Sequence, residues 1–378
     1  MHFTGQHIYS NKLFTSKHSE YSLTVKQLFT LTDEKDETVE QPLGMYLTTF
    51  CYEPAVIQEI RKHVDNDRPI HIFSDFPGIP PSGVAIDENL RVALVGCSAL
   101  GQKIFHAKLF LIKFNNFLRI CISTGNLDSV CMFHLINNFW VIDIPKLEET
   151  QHELPKNTFL HDLQGFLATI GVPYGFLSNY DHRSIENLGA KLIWSIPLNE
   201  GLIPAFAKEI HSDILQRPLQ RFGRLQEGEL WALASSIGNL SSSSMKQYCS
   251  AFGVDKIVVF YPSTQYITRN RLQNSSRNFF YPGKRPVECL SEYKPLEHKK
   301  LSHSKLMYRM EEGILTHMYI GSHNLSSAAW GKYTTKYSPR NIELGVWLSA
   351  DSLLNAPLHF VFEESSLPIA SAFDRNKI

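Results

Sequence analysis

Short runs of β-branched and aromatic residues recur along the chain and alternate with longer amphipathic stretches. The runs predict strands at Met45–Tyr52, Ile70–Phe73, Val92–Gly96, Ala107–Ile112, Leu118–Ser123, Ile257–Tyr261, Met318–Gly321 and Leu344–Leu348. The amphipathic stretches predict helices at Glu53–Val64, Lys156–Thr169 and Ile203–Phe222, the last of them interrupted at Pro218. Strands that alternate with helices favour the α/β class with mostly buried sheets.

Two segments break this pattern and suggest how the chain is organised. The turn-forming sequence Gly171–Gly175 is typical of a junction, so the chain is expected to divide into halves at residues 1–172 and 173–378. The polar segment Gln273–Lys300 carries three prolines and is expected to form a long surface excursion. A length of 378 residues is enough for two such halves, each with its own core.

Charge and cysteine usage narrow the possible functions. Lys and Arg total 37, as do Asp and Glu, so any basic surface must be local. No run of about 18 apolar residues and no secretory leader is found, which predicts no membrane association. The six cysteines form no C-x-x-C pair and no zinc-like cluster with histidine. We therefore expect reduced thiols in an intracellular protein that needs no metal and no cofactor.

A repeated His-x-Lys motif is the most informative feature of the sequence. His106-Ala107-Lys108 recurs as His303-Ser304-Lys305, 197 residues later, and an asparagine follows 20 residues after the first histidine and 21 after the second: Asn126 and Asn324. An apolar run, a polar turn and a second apolar run lie between histidine and asparagine in both copies. Each copy therefore predicts a β-hairpin with the motif at its open end, and each asparagine is expected to start a helix as its N-cap.

These residue types suit phosphodiester chemistry. His and Lys two apart on a strand project from the same face, and the asparagine joins them from the neighbouring strand. Two such trios facing each other would surround a phosphate with cations and amide donors, which stabilises the charge of the transition state without a metal. One imidazole could attack phosphorus while the other protonates the leaving oxygen and then activates water. A single H-x-K sequence is usually no more than a pair of polar surface residues. Two copies with a matched spacing to an asparagine rarely arise by chance.

The motifs resemble those of the phospholipase D superfamily and, within it, of the tyrosyl-DNA phosphodiesterase family. The general superfamily motif carries an Asp five residues after the Lys, whereas this chain has Lys113 and Met310 at those positions. The motif of the tyrosyl-DNA phosphodiesterase family also lacks that Asp. Further similarity, over roughly residues 40–350, lies in the segments Ser322–Gly331, Glu343–Val346, Ser235–Gly238 and Tyr261–Ser263. The resemblance implies two similar α/β/α halves with mixed sheets, related by pseudo-two-fold symmetry, with the active site at their junction.

The resemblance also implies a role for each motif residue. His106 would be the nucleophile and His303 the general acid and base, while the phosphate would be bound by Lys108, Lys305, Asn126 and Asn324. Family members orient the two histidines with a Glu and a Gln. Glu343 falls on the Glu position, and Asn137, one methylene shorter, falls where the Gln is expected. Asn137 could instead simply begin the strand that runs through Trp140.

Two segments are candidates for DNA binding. Residues 256–287 contain no Asp or Glu and interleave basic with aromatic residues, which indicates contacts to phosphates and stacking on bases by Arg269, Arg271 and Tyr261. A partly ordered loop with solvated charges would give the same composition. Ser235 and Ser236 are expected from the resemblance to hold a DNA phosphate.

The predicted reaction is hydrolysis of a 3′-phosphotyrosyl bond in DNA through a phosphohistidine. The expected partners are DNA with a blocked 3′ end, preferably single-stranded, and the tyrosyl peptide of topoisomerase I; the protein is expected to act as a monomer in the nucleus, a location that follows from the family alone. One alternative is another phosphodiesterase of the superfamily, such as a nuclease or a phospholipase, which the missing Asp disfavours. The other is a non-catalytic DNA-end-binding protein, which would not need both imidazoles. The preferred adduct, at a 3′ or a 5′ end, stays open.

Overall fold

The structure is a computed structural model. It describes residues 1–3, 7–11, 22–80, 82–97, 104–149, 153–197, 225, 227–238, 241–273, 279, 289–292, 294–295, 300–312, 314–331, 339–349 and 362–363. The predicted helix at Ile203–Phe222 and most of the predicted excursion after Gln273 lie outside the described residues.

The strands before residue 172 number twelve among the described residues. Their bounds are β1 His7–Asn11, β2 Ser22–Leu23, β3 Leu31–Thr32, β4 Thr38–Glu40, β5 Gly44–Thr48, β6 Ile70–Ser74, β7 Val84–Asp87, β8 Val92–Gly96, β9 Ile104–Phe105, β10 Leu109–Lys113, β11 Phe117–Ser123 and β12 Asn138–Pro145. Most of them form one mixed sheet in the order β2-β1-β12-β11-β10-β5-β6-β8-β7. Within it β5, β6 and β8 run parallel, while β10, β11 and β12 form an antiparallel meander.

A second mixed sheet is built from the later part of the chain. The strands there are β13 Lys191–Ser195, β14 Glu229–Leu233, β15 Lys256–Tyr261, β16 Leu290–Glu292, β17 Lys294–Pro295, β18 Leu306–Glu311, β19 Ile314–Gly321, β20 Asn341–Ser349 and β21 Phe362–Glu363. The sheet runs in the order β13-β20-β19-β18-β14-β15-β16. The short strand β9, from the early part of the chain, pairs in parallel with β20 and so joins the second sheet.

Helices cover the sheets and complete three hydrophobic clusters. Their bounds are α1 Val25–Phe29, α2 Pro54–Arg61, α3 Phe159–Ile170, α4 Arg183–Glu186, α5 Ser242–Phe252, α6 Thr264–Arg269 and α7 Ser327–Trp330, with a π-helical turn at Val130–His134 and a 3₁₀ turn at Gly175–Asn179. One cluster joins the inner faces of both sheets and α3, while α1 with α2 and α5 with α7 cover the outer faces. None of the helices in the described ranges is long and apolar enough to cross a membrane.

The mixed α/β fold expected from the sequence is confirmed, and each predicted strand overlaps an observed one. The helix predicted at Lys156–Thr169 is α3, which ends as Gly171 adopts a left-handed conformation with φ of 75°. The expected division of the chain at residue 172 stays a prediction.

The expectation that each motif asparagine caps a helix was wrong. The helical turn after Asn126 is preceded by Ser129 as its N-cap, and the N-cap of α7 is Ser326. The Ser326 hydroxyl accepts a hydrogen bond from the amide of Ala329, at 3.3 Å. A serine two residues further on therefore takes the capping role in the second copy, and the asparagine side chain stays available to the site.

A buried ion pair fixes the start of the chain to the first sheet. Arg119 on β11 and Asp143 on β12 are both inaccessible to solvent and are joined by two hydrogen bonds, of 2.8 and 3.0 Å. The remaining guanidinium hydrogens are donated to carbonyl oxygens of α1, of Thr30 that follows it and of Met1, and Asp143 also accepts from the amide of Phe3. Although burial opposes ionisation, hydrogen bonds from His2 and Arg119 keep the pKa of Asp143 below its usual range.

Replacing Asp143 by Asn should destabilise the protein by about 3–5 kcal/mol, because the change leaves the Arg119 charge buried without its counter-ion. Urea unfolding at pH 7 measures this loss. The matched control is Asp181→Asn, which breaks the exposed pair of Asp181 with Arg183 and should cost about 0–1 kcal/mol. Equal losses in the two variants would contradict the assigned role of the buried pair.

Candidate active site

Both His-x-Lys motifs lie at the open ends of antiparallel hairpins, as predicted. The first motif directly precedes β10, which pairs with β11, and the second directly precedes β18, which pairs with β19. The motif residues themselves lie just outside the strands, where the backbone bonds to the opposite half. The amide of His106 donates to the carbonyl of Ile342 at 2.9 Å, and the amide of His303 donates to that of Ile136 at 2.8 Å.

Glu343 on β20 orients the first histidine. Its Oε2 lies 2.7 Å from His106 Nδ1 and also accepts a hydrogen bond from the Ser322 hydroxyl at 2.6 Å, while Asn341 Nδ2 donates to Oε1 at 2.8 Å. The carboxylate is fully buried, whereas 12% of the His106 side chain is exposed. Since an ionised carboxylate only accepts hydrogen bonds, the Nδ1 proton faces Glu343 and the lone pair of the ring is on Nε2.

The two lysines take the same conformation in the two copies. Lys108 Nζ donates to the carbonyl of His106 at 2.5 Å, and Lys305 Nζ donates to the carbonyl of His303 at 2.6 Å. Both lysine side chains are buried, and Lys305 also bonds to the carbonyl of Thr124 in the first copy at 3.0 Å. Folding back onto the histidine two residues earlier is thus a property of the motif, and it brings each ammonium beside an imidazole.

Two lysines and two imidazoles are buried in this site beside the carboxylates of Glu343 and Asp128, and their pKa values respond. Burial lowers the pKa of His106 to about 4 and that of Lys108 to about 8, more than Glu343 raises them. Burial and then the Lys108 charge hold the pKa of Lys305 well below its usual range, and His303 shifts in the same direction through burial and then Lys305. Burial alone would raise the pKa of Glu343, but the neighbouring His106 lowers it to about 2. The arrangement is suited to receive an anion.

The motif asparagines present one buried and one half-buried amide to the same region. Asn324 Oδ1 accepts from the hydroxyl of Ser235 at 3.2 Å and from the amide of Ser236 at 3.1 Å, so its NH₂ group is directed away from them. Asn126 is 7% exposed, and its Oδ1 is buried without a hydrogen-bond partner among the described residues. A buried amide in this state costs free energy that a bound ligand would recover.

Asn137 holds a loop, and the contacts described for it do not include His303. Its Nδ2 donates to the carbonyls of Cys131 and Leu135, and its Oδ1 accepts from the Thr124 hydroxyl. The same side chain packs where a Cβ on Gly125 would stand, 2.6 Å from such an atom, which explains the glycine. The described hydrogen bonds of the amide go to the turn, and the orienting role of Asn137 stays a prediction.

The predicted DNA-binding residues differ in their accessibility. Arg269 at the end of α6 and Arg271 just beyond it are exposed. Tyr261 is completely buried against Phe279, with ring centroids 6.0 Å apart, a position that does not fit the predicted stacking on a base. Ser235 is also buried, with its hydroxyl on Asn324, so its described contact is with the site rather than with solvent.

Sequence reasoning missed several residues of the site. The Cys131 sulfur lies 3.6 Å from His303 Nδ1, and the exposed ring of Phe50 lies beside the His106 ring, with centroids 5.7 Å apart. His323, inside the second motif, is buried in the fold and stacked on Trp330 at 4.2 Å. Phe50 lies two residues after the end of β5, and this position was a sequence signal that could have identified it as a site residue. For Cys131, only the fold reveals the contact.

No group of three or more His, Cys, Asp or Glu side chains that could hold a metal ion occurs in the described part of the chain.

The fold and the paired His-Lys-Asn trios define a phosphodiester hydrolase with a phospholipase D-like architecture. The family model of tyrosyl-DNA phosphodiesterase matches residues 86–375, and the chain therefore belongs to that family. A crystal structure of a yeast tyrosyl-DNA phosphodiesterase is similar at 18% identity and a TM-score of 0.64, covering 93% of this chain and 90% of that one. The structure of a single-residue variant of the yeast enzyme is similar at 17% identity and a TM-score of 0.66. The match covers 93% of this chain and 92% of that one. The search of curated proteins found no match.

The affinity of the protein for sulfate should fall above about pH 8. Sulfate is a suitable probe because its own charge does not change over the pH range of the experiment. The pKa of Lys108 is lowered to about 8, so the ammonium is charged below that pH and neutral above it. One lost proton reduces affinity by up to about tenfold per pH unit. Calorimetric titration between pH 6 and 10 measures the effect, and Lys108→Met should remove the break near pH 8. Constant affinity up to pH 10 in the unmodified protein would contradict this account.

Ser235→Ala should weaken sulfate binding roughly twofold to tenfold, because the Asn324 amide loses one of the two donors that fix its rotation. Ser236→Ala is the matched control. It removes a neighbouring hydroxyl but keeps the backbone amide that bonds to Asn324, so affinity should stay within about twofold. Equal weakening in both variants would show instead that the two hydroxyls contact the anion directly.

Proposed function

We propose that this protein hydrolyses the bond between a DNA 3′ phosphate and a tyrosine through a covalent phosphohistidine. The observation that carries the proposal is the pair of His-Lys-Asn trios whose histidines and lysines interact in one buried site, in a chain of the tyrosyl-DNA phosphodiesterase family. Two lysines and two amides suit the equatorial oxygens of a phosphodiester in its transition state. The protein itself supplies the positive charge at which a divalent ion would otherwise act.

In the first step, His106 Nε2 attacks phosphorus and the bond from phosphorus to the tyrosyl oxygen breaks. His106 suits this role because Glu343 holds the Nδ1 proton and a pKa of about 4 leaves the ring neutral at pH 7. His303 gives the Nε2 proton to the leaving phenolate. The negative charge of the bound phosphodiester offsets the lysines that depress the pKa of His303, and so favours its protonated form.

In the second step, His303 takes a proton from water, and the resulting hydroxide attacks phosphorus. The bond from phosphorus to His106 breaks, a 3′ phosphate leaves, and both imidazoles return to their starting states. Tyrosine is a better leaving group than a sugar alcohol because its pKa is about 10. This difference favours the adduct bond over the DNA backbone.

The DNA strand would approach along the edge where β14 and β15 end. These parallel strands place Ser235 and the start of α6 at one edge of the sheet, and the exposed Arg269 and Arg271 follow that helix. The exposed ring of Phe50 beside His106 offers a face for an unpaired base. A preference for single-stranded ends, topoisomerase I as the source of the tyrosyl peptide, and action as a nuclear monomer belong to the same proposal.

The proposal is tested with a single-stranded oligonucleotide that carries a 3′-phosphotyrosine, in the presence of EDTA. The protein should release a 3′-phosphate product, and His106→Ala should neither cleave nor form a covalent adduct. His303→Ala should lower turnover by about 10²- to 10⁴-fold, the usual contribution of a general acid and base. It should also accumulate an oligonucleotide adduct that disappears when His106 is replaced as well.

The matched control is His63→Ala, which removes a histidine that follows α2 and contacts Glu59 outside the site; its turnover should equal that of the unmodified protein. Tight oligonucleotide binding without cleavage would contradict the proposal and support a DNA-end-binding protein. Faster cleavage of an unmodified strand or of a phospholipid would support another phosphodiesterase.

A further inference from the structure

His323 lies inside the second motif and takes no part in the proposed reaction, yet both of its ring nitrogens are hydrogen-bonded. Nδ1 lies 2.5 Å from the Tyr319 hydroxyl on β19, and Nε2 lies 3.2 Å from the Ser195 hydroxyl on β13. The ring also stacks on Trp330 of α7. His323 is thus joined to two strands of the second sheet and to the helix that follows the motif.

Hydrogen-bond accounting fixes the tautomer of His323. The Ser195 hydroxyl donates its single proton to the carbonyl of Ala329 at 2.8 Å, so its oxygen accepts the Nε2 proton of His323. Nδ1 then carries the lone pair, which accepts the proton of the Tyr319 hydroxyl. Burial lowers the pKa of His323 to about 3, so the ring is neutral at pH 7. One set of hydrogen bonds therefore satisfies both ring nitrogens.

A hydroxyl beside an imidazole can be an activated nucleophile, but burial excludes that role for this trio. Ser195 is 2% exposed, His323 is 1% exposed and Tyr319 is completely buried. The Ser195 proton goes to a backbone carbonyl rather than to the imidazole, so the ring does not activate the hydroxyl. We call Ser195, His323 and Tyr319 the His323 network, and its contacts give it a holding role.

The second sheet makes a specific place for the Tyr319 ring. Gly321 and Gly345 face each other across β19 and β20, and a Cβ on either glycine would overlap the Tyr319 side chain. Ser195 on β13 is the register partner of Glu343 on β20, and partners in such a pair project from the same face of the sheet. The His323 network therefore lies beside the carboxylate of the site.

The two neighbours of His323 in the chain both belong to the site. The Ser322 hydroxyl donates to Glu343 Oε2 at 2.6 Å, and Asn324 Oδ1 accepts from the Ser235 hydroxyl at 3.2 Å. Three consecutive side chains are therefore directed to the carboxylate, to the His323 network and to the motif amide. Fixing the middle residue limits the movement of the other two.

We propose that the His323 network anchors this part of the second motif, so that Ser322 holds the Glu343 carboxylate and Asn324 meets the phosphate. Its three members are positioning residues, which act through Ser322 and Asn324 and do not touch the substrate. The inference rests on the proposed function of the site. Directional hydrogen bonds suit this task, whereas an apolar side chain at position 323 would gain only non-directional contacts.

Tyr319→Phe should slow formation of the His106 adduct with the 3′-phosphotyrosyl oligonucleotide by about 10- to 100-fold, because small displacements of aligned groups have effects of this size. Adduct formation from a 3′-p-nitrophenyl ester should slow by the same factor, since protonation of the leaving group by His303 is untouched. Rapid-quench measurements at saturating substrate give both rates. Sulfate affinity, measured by calorimetry, should fall about twofold to tenfold as Asn324 shifts.

Double variants separate positioning from a general loss of stability. In an Asn324→Ala background, Tyr319→Phe should change sulfate affinity by less than about twofold, because the residue through which it acts is already gone. In a Ser322→Ala background, Tyr319→Phe should slow adduct formation by about threefold or less, since its connection to Glu343 is already broken. A purely structural effect would be as large in these backgrounds as in the unmodified protein.

Conservative and apolar replacements of His323 provide a second readout. His323→Asn places a carbonyl oxygen near the position of Nδ1, which can accept from Tyr319, whereas His323→Leu fills the space without hydrogen bonds. His323→Asn should therefore keep the faster adduct formation of the two. The matched control is Tyr180→Phe, which removes the hydroxyl of another buried tyrosine, paired with Lys146 beyond the far end of β12. It should leave adduct formation and sulfate affinity unchanged.

Adduct formation by the unmodified protein at a rate that Tyr319→Phe and Tyr180→Phe both retain would overturn the anchor alone, as would full additivity in the double variants. Failure of the unmodified protein to form an adduct would overturn the proposed function. Equal sulfate affinities of the two tyrosine variants would then overturn the anchor as well, and a loss confined to Tyr319→Phe would support it. Thermal unfolding checks each variant, and Ser195→Ala, which removes the other hydroxyl of the network, replaces Tyr319→Phe if that variant does not fold.

Discussion

The site depends on a reciprocal exchange of backbone hydrogen bonds between the two halves. The segment that carries His106 is bonded to β20 of the second sheet, and the segment that carries His303 is bonded to the loop before β12 of the first. Each histidine thus leaves its own hairpin and is fixed by the other half. Neither trio can take its working geometry until the shared core between the sheets has formed, so folding and assembly of the site are one event.

Burial of ionisable groups is the second constraint. Two lysines and two imidazoles are buried with one directly bonded carboxylate, and their pKa values are lowered accordingly. Such an arrangement costs stability in the free protein and is offset only when an anion enters. The amides of Asn126 and Asn324 add to this preorganisation, since one is buried without a partner for its oxygen and the other is held by Ser235 and Ser236. Under the proposed function, binding of a phosphate would offset the free energy that burial of these groups costs.

The two halves place their motif residues in similar ways, and they differ in the side chains that contact the two histidines. Leu127 bridges Tyr52 in the first half as Leu325 bridges Ile237 in the second, so both motif loops dock on the segment that follows a neighbouring strand. Both lysines fold back on their histidines in the same way. The outer partners, however, are unlike: a carboxylate for His106 and a thiol for His303. Two identical trios would give two equal histidines, whereas nucleophilic and acid–base roles require different environments.

The sequence by itself determined the local elements and the candidate reacting groups. Alternating apolar runs set the strands, and the two spaced His-x-Lys motifs set the hairpins, because hydrophobic periodicity and residue chemistry are local properties. Only the tertiary structure decided which side chain meets which across the halves. Cys131, from a turn that no local pattern marks, contacts His303 172 positions away, and Glu343 contacts His106 237 positions away. Contacts between residues more than a hundred positions apart follow from how two sheets pack, and no short window of sequence contains that information.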